Sequence, residues 1–584
     1  MLLQNPKPHA VPSPASLAAS WNSRVFHLDA TIGVLTVLTP DTGELLVHVE
    51  TPAYLLPCLD GASVAARLTD VVIETDRAEI RYDAAGLAFL AVTLELADDG
   101  RALDLRCRFV SNHDVQLNAL ELFSAGTVLN LHEVVNFRNR HHTPRTWPEL
   151  LLGNAISTTT YSDDWQFAPH PTALLFTKNR HSLFAGFTGL QASFGMQLKA
   201  LRNRVERWTV DFGPHPHGLV LKAGEEFRSA PLRLFVREQR TVHQMYAEFG
   251  RMLVDEGEIP DPAAKHRHAW WLEPLYCTWN DQRMLADHQA ETELLNQTAA
   301  TVRKAVEQLD ESLVRQAAAV IRRERLPVKT ILLDEGWSIA RGDWRPDPSR
   351  FPNLRGLVDE LHSQGFKVMV WWNWAEIAGD ADIPRSQLAA DGWTNRHGHR
   401  WRDYSDPRIQ EDYFKPLMRT LFSSDPGCYD LDGVKTDFLA DKVHPDTPLH
   451  NPSWRGEERY FTRVTELFHR EMRRHKPDAL HLGCAGNYWL ADLIDLNRTY
   501  DVHTSNWLEH EERARMLQCT APGVPVSYDM HEFNEGLDEY FDSARRLGVS
   551  VELGNVLVSR DCKFAPPRSA DAALWTRLRK GCSA

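Results

Sequence analysis

Cysteine is scarce in this sequence, and its spacing forms no recognisable site. The eight cysteines among the 584 residues stand singly, without a C-x-x-C pair. Disulfide scaffolds and structural zinc sites need closely spaced cysteines, so we expect reduced thiols and a cytoplasmic location. The N-terminal residues lack the apolar segment of a secretory signal, and no apolar run has the length of a membrane-spanning helix.

The chain also has no excess of positive charge. The formal net charge is -14, and the isoelectric point is near 6.0. Phosphate backbones and anionic lipids repel such a chain, so we expect no nucleic acid and no membrane among its partners.

Motifs for nucleotides and metals are missing too. Neither GLQASFG nor GVPVSYDM has the spacing of a P-loop or of a dinucleotide fingerprint. The histidine pairs His141–His142 and His397–His399 have no third ligand beside them in the sequence, as a metal site would require. We therefore predict no cofactor and no metal.

The first part of the chain is dominated by short alternating segments. Up to about residue 250, runs such as TIGVLTVLT and LDLRCRFVSN alternate or are apolar, and Gly, Asp, Asn and Pro separate them. Many short strands of this kind predict an antiparallel β-sandwich. We assign residues 1–20 to a flexible N-terminus, 21–250 to the sandwich and 251–267 to a linker.

The second part, residues 268–584, alternates candidate strands with amphipathic helices. Eight such units are the number in a (β/α)8 TIM barrel. The sequence therefore predicts a multidomain protein with a sandwich followed by a barrel. The eight strands are expected in WLEPLYCTW, VKTILLDEG, FKVMVWWNW, GVKTDFL, ALHLGCA, TYDVHTS, GVPVSYD and GVSVELGNVLV.

Acidic and aromatic residues collect at the ends of these predicted strands, where barrel active sites lie. The acidic ends include Asp334–Glu335, Asp437, Asp501 and Asp529, and Trp279 ends the first strand. A helix cap would explain any one aspartate. The whole set, with aromatic rings and no cofactor motif, is typical of glycoside hydrolysis, in which two carboxyl groups act on one bond.

The segment GVKTDFL contains an unusual pair. Lys435 and Asp437 lie two residues apart, so their side chains point to the same side of a strand. Burying both costs several kcal/mol unless they pair or serve a function. The pair is either a structural ion pair or part of an active site.

Four motifs in order give the sequence a family resemblance. LLDEGW, GDWRPDPSRFPN, DYSDPR and GVKTDFL together resemble the α-galactosidase and raffinose-synthase group of glycoside hydrolases (melibiase-like, clan D). The resemblance is strongest from residue 331 to 440. It implies an N-terminal β-supersandwich, a catalytic (β/α)8 barrel and a carbohydrate substrate. It also implies a retaining, exo-acting α-glycosidase.

The resemblance assigns roles to individual residues. In that family the aspartate of the K-x-D strand is the nucleophile and the lysine holds a sugar hydroxyl, which implies these roles for Asp437 and Lys435. A nearby ammonium keeps a carboxylate ionised for attack. The resemblance also implies substrate-binding roles for Asp334, Glu335 and Cys484. Trp337, Trp344 and Trp372 are candidate walls that either stack on sugar or pack in the core. Trp279, at the end of the first predicted strand, is a further candidate for substrate binding.

The sequence departs from the family where the general acid is expected. In TSNWLEHEER the acid's position is taken by Asn506, and an amide cannot protonate a leaving oxygen. We therefore count Asn506 as a substrate-binding residue. We rank Asp501, which we expect at the end of strand six in place of a family arginine, ahead of Glu509 as the acid/base. Asp529 comes next.

Two further explanations stay open: a leaving group that needs no protonation, or a protein that binds sugar without cleaving it. A raffinose-synthase-like transglycosidase would use the same nucleophile with a sugar acceptor. The sequence is also compatible with a homo-oligomer.

Overall fold

The structure, a computed structural model, describes most of the chain. The described residues are 20–29, 34–49, 54–123, 127–130, 133–135, 155–157, 172–201, 204–290, 299–373, 376–379, 381–390, 393–394, 400–437, 444–483, 486–499, 507–562 and 565–582. Three of the expected site residues, Cys484, Asp501 and Asn506, lie outside them, as does the expected flexible N-terminus up to residue 19.

The N-terminal part contains two antiparallel sheets, as the alternation predicts. In Arg77–Ala84, for example, every second side chain is buried. One sheet contains, in spatial order, Ser20–Asn22, Phe26–Asp29, Val34–Leu38, Leu45–His48, Val128–Leu129, Arg204–Asp211, Val115–Leu122, Leu55–Leu59 and Ala62–Ser63, with Ala155–Ser157, Gly195–Leu201 and Leu219–Leu221 paired beside this path. The other contains Glu133–Val135, Ala173–Lys178, His181–Phe187, Leu232–Glu238, Ala102–Ser111, Leu87–Ala97, Arg77–Ala84 and Ala66–Ile73, with Glu226–Arg228 beside Ala102–Ser111.

Eight parallel strands close into a barrel in the second part, which confirms the predicted fold class. We number them β1 to β8. They are β1 (Leu275–Cys277), β2 (Thr330–Leu333), β3 (Lys367–Asn373), β4 (Gly433–Asp437), β5 (Leu480–Gly483), β6 (Leu496–Arg498), β7 (Val526–Tyr528) and β8 (Ser550–Leu553). Among the described residues of this part, three short antiparallel pairs lie outside the barrel: Ser338–Ala340 with Asp343–Pro346, Glu376–Ile377 with Arg400–Trp401, and Val558–Ser559 with Arg568–Ser569.

Strand six differs from the prediction. It is LNR, Leu496–Arg498, and it ends before the expected segment TYDVHTS. All three of its residues, the apolar Leu496 and the polar Asn497 and Arg498, are buried. The strand therefore lacks the alternation of apolar and polar residues that marks a half-exposed strand. The residue at the end of this strand is therefore Arg498, whereas Asp501 comes after it.

Helices surround the barrel strands. One large core, which includes Val314, Leu357, Val370 and Phe468, lies between helices and strands. None of the helices in the described part of the chain has the length and apolar character needed to cross a bilayer. The α-helices are α1 (Val242–Asp255), α2 (Trp279–Ala290), α3 (Ala299–Val306), α4 (Glu311–Arg323), α5 (Leu354–Ser363), α6 (Pro407–Ile409), α7 (Lys415–Phe422), α8 (Glu457–His475), α9 (Trp507–Thr520), α10 (Leu537–Leu547) and α11 (Ala572–Cys582).

Helix α1 joins the sandwich to the barrel. Thr241 begins it with a capping box that Gln244 completes. It continues to Asp255, inside the segment predicted as a linker. Phe249 of this helix packs against Phe184 of the sandwich and against Tyr488 on the barrel side. The two parts therefore share an apolar contact through α1.

A buried carboxylate fastens the first βα unit to the end of β8. Asp281 accepts hydrogen bonds from the amides of Val556, Leu557 and Val558, at 2.9–3.2 Å, and from the Tyr276 hydroxyl at 2.7 Å. Burial raises the pKa of Asp281 to about 6, so the group is ionised at neutral pH. One side chain thus accepts from three consecutive backbone amides, which need a partner when buried.

We expect Asp281→Ala to lower the free energy of unfolding by about 3 kcal/mol or more, because it leaves several buried donors without an acceptor. Tyr276→Phe, which removes a single donor, is the matched control and should cost about 1 kcal/mol. Urea unfolding measures both. A loss below about 1 kcal/mol for Asp281→Ala would show that the turn does not depend on this carboxylate.

Candidate active site

Strand β4 directs Lys435 and Asp437 into the barrel. Both side chains are buried, and each meets partners from other strands, as their spacing predicts. Gly433 opens the strand where a side chain would not fit: a Cβ there would lie 2.3 Å from the carbonyl oxygen of Leu480 on β5. The glycine thus permits the close pairing of β4 and β5.

Lys435 faces the end of β2. Its Nζ donates to Asp334 Oδ2 at 2.8 Å, and the same oxygen accepts from the Cys277 thiol at 3.1 Å. Burial opposes the charge on Lys435, but the nearby Asp334 carboxylate helps to hold its pKa above the ordinary value. The lysine is therefore a buried ammonium.

Asp437 is held at both carboxylate oxygens. Arg498 Nη2 lies 3.0 Å from Oδ1, and the indole Nε1 of Trp371 donates to Oδ2 at 3.0 Å. Accepting at both oxygens fits an ionised carboxylate. The side chain is thus fixed at the carboxyl end of β4, where a barrel enzyme places its reacting groups.

Arg498 is shared between two acids. Its Nη1 lies 2.7 Å from Asp529 Oδ2, so one fully buried guanidinium links Asp437 to the end of β7. Asp501, which we expected in place of a family arginine, lies outside the described residues, whereas Arg498 supplies a cation from β6. Arg498 precedes the segment TYDVHTS in which that strand was expected, so the sequence pattern did not single it out.

The acidic pair after β2 divides its two side chains between different partners. Asp334 joins Lys435, whereas Glu335 forms a bidentate ion pair with Arg341, with contacts of 2.5 and 2.8 Å. Arg341 also lies 3.5 Å from Glu376 and 5.6 Å from the centre of the Trp371 ring. Sequence reasoning missed Arg341, which the turn between Ser338–Ala340 and Asp343–Pro346 brings over the site.

The tryptophans separate into two environments. On β3, Met369 belongs to an apolar cluster with Leu332 and Leu482, while Val368 and Val370 face the helices. The alternation places Trp371 inside, where it reaches Asp437, and Trp372 outside. The Trp372 ring packs against Phe414 and Phe468, with centroids 6.0 and 4.7 Å away.

Trp337 and Trp344 are core residues as well, whereas Trp279 is not. Trp337 is buried, stacks on Trp344 at 6.1 Å and donates its Nε1 to the Trp371 carbonyl at 2.8 Å. It supports Trp371 from behind. Trp279 is half-buried beside Cys277 and Met530 at the end of β1, so it is the candidate stacking residue that retains an exposed surface.

Glu509 lies in the first turn of α9. Its carboxylate is ion-paired with Arg513, a buried residue of the same helix whose Nη1 donates to the Thr499 carbonyl at 3.1 Å. The side chain is therefore engaged, and it would have to leave Arg513 to protonate a leaving group.

A family model, "Glycosyl hydrolases family 31 TIM-barrel domain", matches residues 300–504, a segment that includes β2 to β6. A curated relative from Flavonifractor plautii, "A type blood alpha-D-galactosamine galactosaminidase", is 44% identical over 50 residues. That match spans 8% of this chain and 4% of the relative's length.

Solved structures share the two-part fold. The α-galactosidase of Lactobacillus brevis is 13% identical with a TM-score of 0.56, over 99% of this chain and 79% of that chain. The GH36 α-galactosidase AgaA of Geobacillus stearothermophilus is 13% identical with a TM-score of 0.55, over 94% and 77%. The comparisons differ on the family, 31 or 36; the family model is one of glycosyl hydrolases, and the solved structures show the shared fold.

The adjacent residues Trp371 and Trp372 allow a matched test. Trp371→Phe removes the hydrogen bond to Asp437 and should lower kcat/KM on an aryl α-glycoside about tenfold or more. Trp372→Phe removes packing on the helix side, so it should cost about 1–3 kcal/mol of stability while kcat/KM stays within about threefold. Equal losses of kcat/KM in the two variants would contradict the division into inner and outer faces.

Proposed function

We propose that this protein is a retaining, exo-acting α-glycosidase of the α-galactosidase kind that cleaves a terminal α-linked sugar. The observation that supports this most strongly is Asp437 at the end of β4, held by Arg498 and Trp371 beside the Lys435 ammonium. Fold alone does not define activity. The arrangement of these side chains in the barrel is the reason for the proposal.

In the first step Asp437 attacks the anomeric carbon. A carboxylate oxygen forms an ester bond to that carbon while the glycosidic C–O bond breaks, and the leaving oxygen takes a proton from the general acid. Arg498 and Trp371 orient the attacking carboxylate, and Lys435 and Asp334 bind sugar hydroxyls. Electrostatic preorganisation of this kind lowers the barrier without reorganisation during the reaction.

In the second step water attacks the same carbon from the opposite side. The group that gave its proton now takes one from the water, the ester bond breaks, and Asp437 leaves as a carboxylate. Two inversions give net retention. The scheme needs a second carboxyl group about 5–5.5 Å from Asp437.

The second carboxyl is the non-standard part of this proposal. We assign it to Asp501 ahead of Glu509, because Glu509 is bound to Arg513 and Asp529 to Arg498. Glu335 stands where the family that the sequence resembles has a second aspartate, and it is paired with Arg341. Both differences change the groups that can bind sugar hydroxyls. We therefore expect a sugar preference that differs from that of a plain α-galactosidase.

Asp437→Asn should lower kcat below about a hundredth of the wild-type value on every glycoside, because the amide is a poor nucleophile. In Asp437→Ala, azide should replace the carboxylate and give a glycosyl azide of inverted configuration from an aryl α-glycoside. An activated glycosyl fluoride should label Asp437 in the wild type, as mass spectrometry of peptides detects. Retained turnover in Asp437→Asn would overturn the covalent role.

Removal of the true acid/base should produce a different pattern. We expect Asp501→Ala to cripple cleavage of alkyl glycosides and spare the first step on aryl glycosides, whose leaving groups need no proton. Azide should then accelerate the second step and give a product of retained configuration. Glu509→Ala is the matched comparison, and if neither variant behaves this way the acid is elsewhere, with Asp529 next.

The same experiments separate the alternative functions. Transfer to an added sugar in preference to water would identify a transglycosidase that uses the same nucleophile. Sugar binding without any labelling of Asp437 would identify a protein that retains the fold and has lost the chemistry.

A further inference from the structure

Glu552 is a buried carboxylate inside the barrel that the reaction scheme does not use. It lies on β8 with almost no exposed surface. Neither of its carboxylate oxygens has a hydrogen-bond partner among the described residues. The ammonium of Lys435 lies 3.9 Å from Oε1, close enough to attract it and too far for a good hydrogen bond.

The balance of charge around Glu552 is unfavourable for a further anion. Lys435 pairs with Asp334, and Arg498 pairs with both Asp437 and Asp529. These two cations therefore already serve three carboxylates. A fourth carboxylate in a buried, low-dielectric region is costly unless it takes up a proton.

The groups that face Glu552 come from six elements around it. Burial raises the pKa of Glu552 to about 7, Asp529 and Asp334 add to this increase, and Lys435 and Arg498 oppose it. Burial also raises the pKa of the Cys277 thiol and of the Tyr540 hydroxyl well above their ordinary values, so neither titrates near neutral pH. The charged and titratable groups facing Glu552 are Cys277, Asp334, Lys435, Arg498, Asp529 and Tyr540.

Lys435 therefore lies between two carboxyl groups with different tasks. Asp334 holds the ammonium at 2.8 Å, on the side where we place the sugar, while Glu552 approaches it from β8. A neutral Glu552 leaves the ammonium with Asp334. An ionised Glu552 competes for it, because attraction between charges at this distance is strong in a dry interior.

We propose that Glu552 is a positioning residue whose proton keeps Lys435 in its sugar-binding position. Loss of that proton draws the ammonium toward β8 and weakens its contact with substrate. The inference rests on the proposed function of Lys435 and adds a control of that contact by pH. Glu552 itself touches no reacting atom.

Glu552→Gln tests the proposal because the amide mimics the neutral acid. In the wild type we expect KM for an aryl α-glycoside to rise at least about fivefold from about pH 6 to about pH 8.5, with a smaller change in kcat. In Glu552→Gln this alkaline rise should disappear, and the low-pH KM should be kept. An unchanged alkaline rise in the variant, or none in the wild type, would overturn the proposal.

Glu458→Gln is the matched control. Burial also raises the pKa of Glu458 to about 7, but this carboxylate accepts from Thr172 and Asn487, where α8 meets the sandwich. Its variant should keep the wild-type dependence of KM on pH. Should Glu552→Gln fail to fold, Glu552→Asp replaces it. The shorter carboxylate stays farther from Lys435, so we expect a smaller rise of KM at alkaline pH than in the wild type. A rise equal to that of the wild type would contradict the inference.

Infrared spectroscopy separates a failure of this inference from a failure of the proposed function. A protonated buried carboxylic acid gives a carbonyl band that should be lost between about pH 6 and about pH 8.5 in the wild type. Glu552→Gln should lack that component. Glu458 contributes to the same band, so the part that Glu552→Gln lacks identifies Glu552. If the wild type cleaves no glycoside but shows that part of the band, the proposed function fails and the protonation of Glu552 stands; if it cleaves glycosides without it, only the inference fails.

Discussion

The pairing of buried charges inside the barrel is the constraint on which the site depends. Asp437, Asp529 and Asp334 lie at the ends of different strands, and Arg498 or Lys435 pairs with each of them across the interior. Loss of one partner in a buried ion pair costs about 3–5 kcal/mol. The arrangement is therefore cooperative: displacing one group leaves another charge without a partner, so the side chains share one defined geometry.

The apolar surroundings make this geometry rigid. Trp371 links the charged interior to the aromatic core, since its indole N–H reaches Asp437 while its carbonyl accepts from Trp337. Arg341 lies over the same ring and ties it to Glu335. The role that we propose for Asp437 needs this kind of support, because small displacements from a reactive geometry slow a reaction strongly.

The comparisons and the site contribute different parts of the functional conclusion. Structures at 13% identity establish the two-part fold, and a (β/α)8 barrel can host many chemistries. The proposal of a retaining glycosidase therefore depends on Asp437 and its partners. The sugar preference that we propose rests on Glu335 and its pairing with Arg341.

The sequence by itself determined the order of sandwich and barrel, because period-2 alternation and repeated βα units are local patterns. It also placed Lys435 and Asp437 on one side of β4. Only the tertiary structure decided that Arg498 ends β6, that Trp371 and not Trp372 reaches Asp437, and that Glu552 approaches Lys435. The contacts of Trp371 and Glu552 join residues that are far apart in the chain, so they depend on how the strands assemble into the barrel.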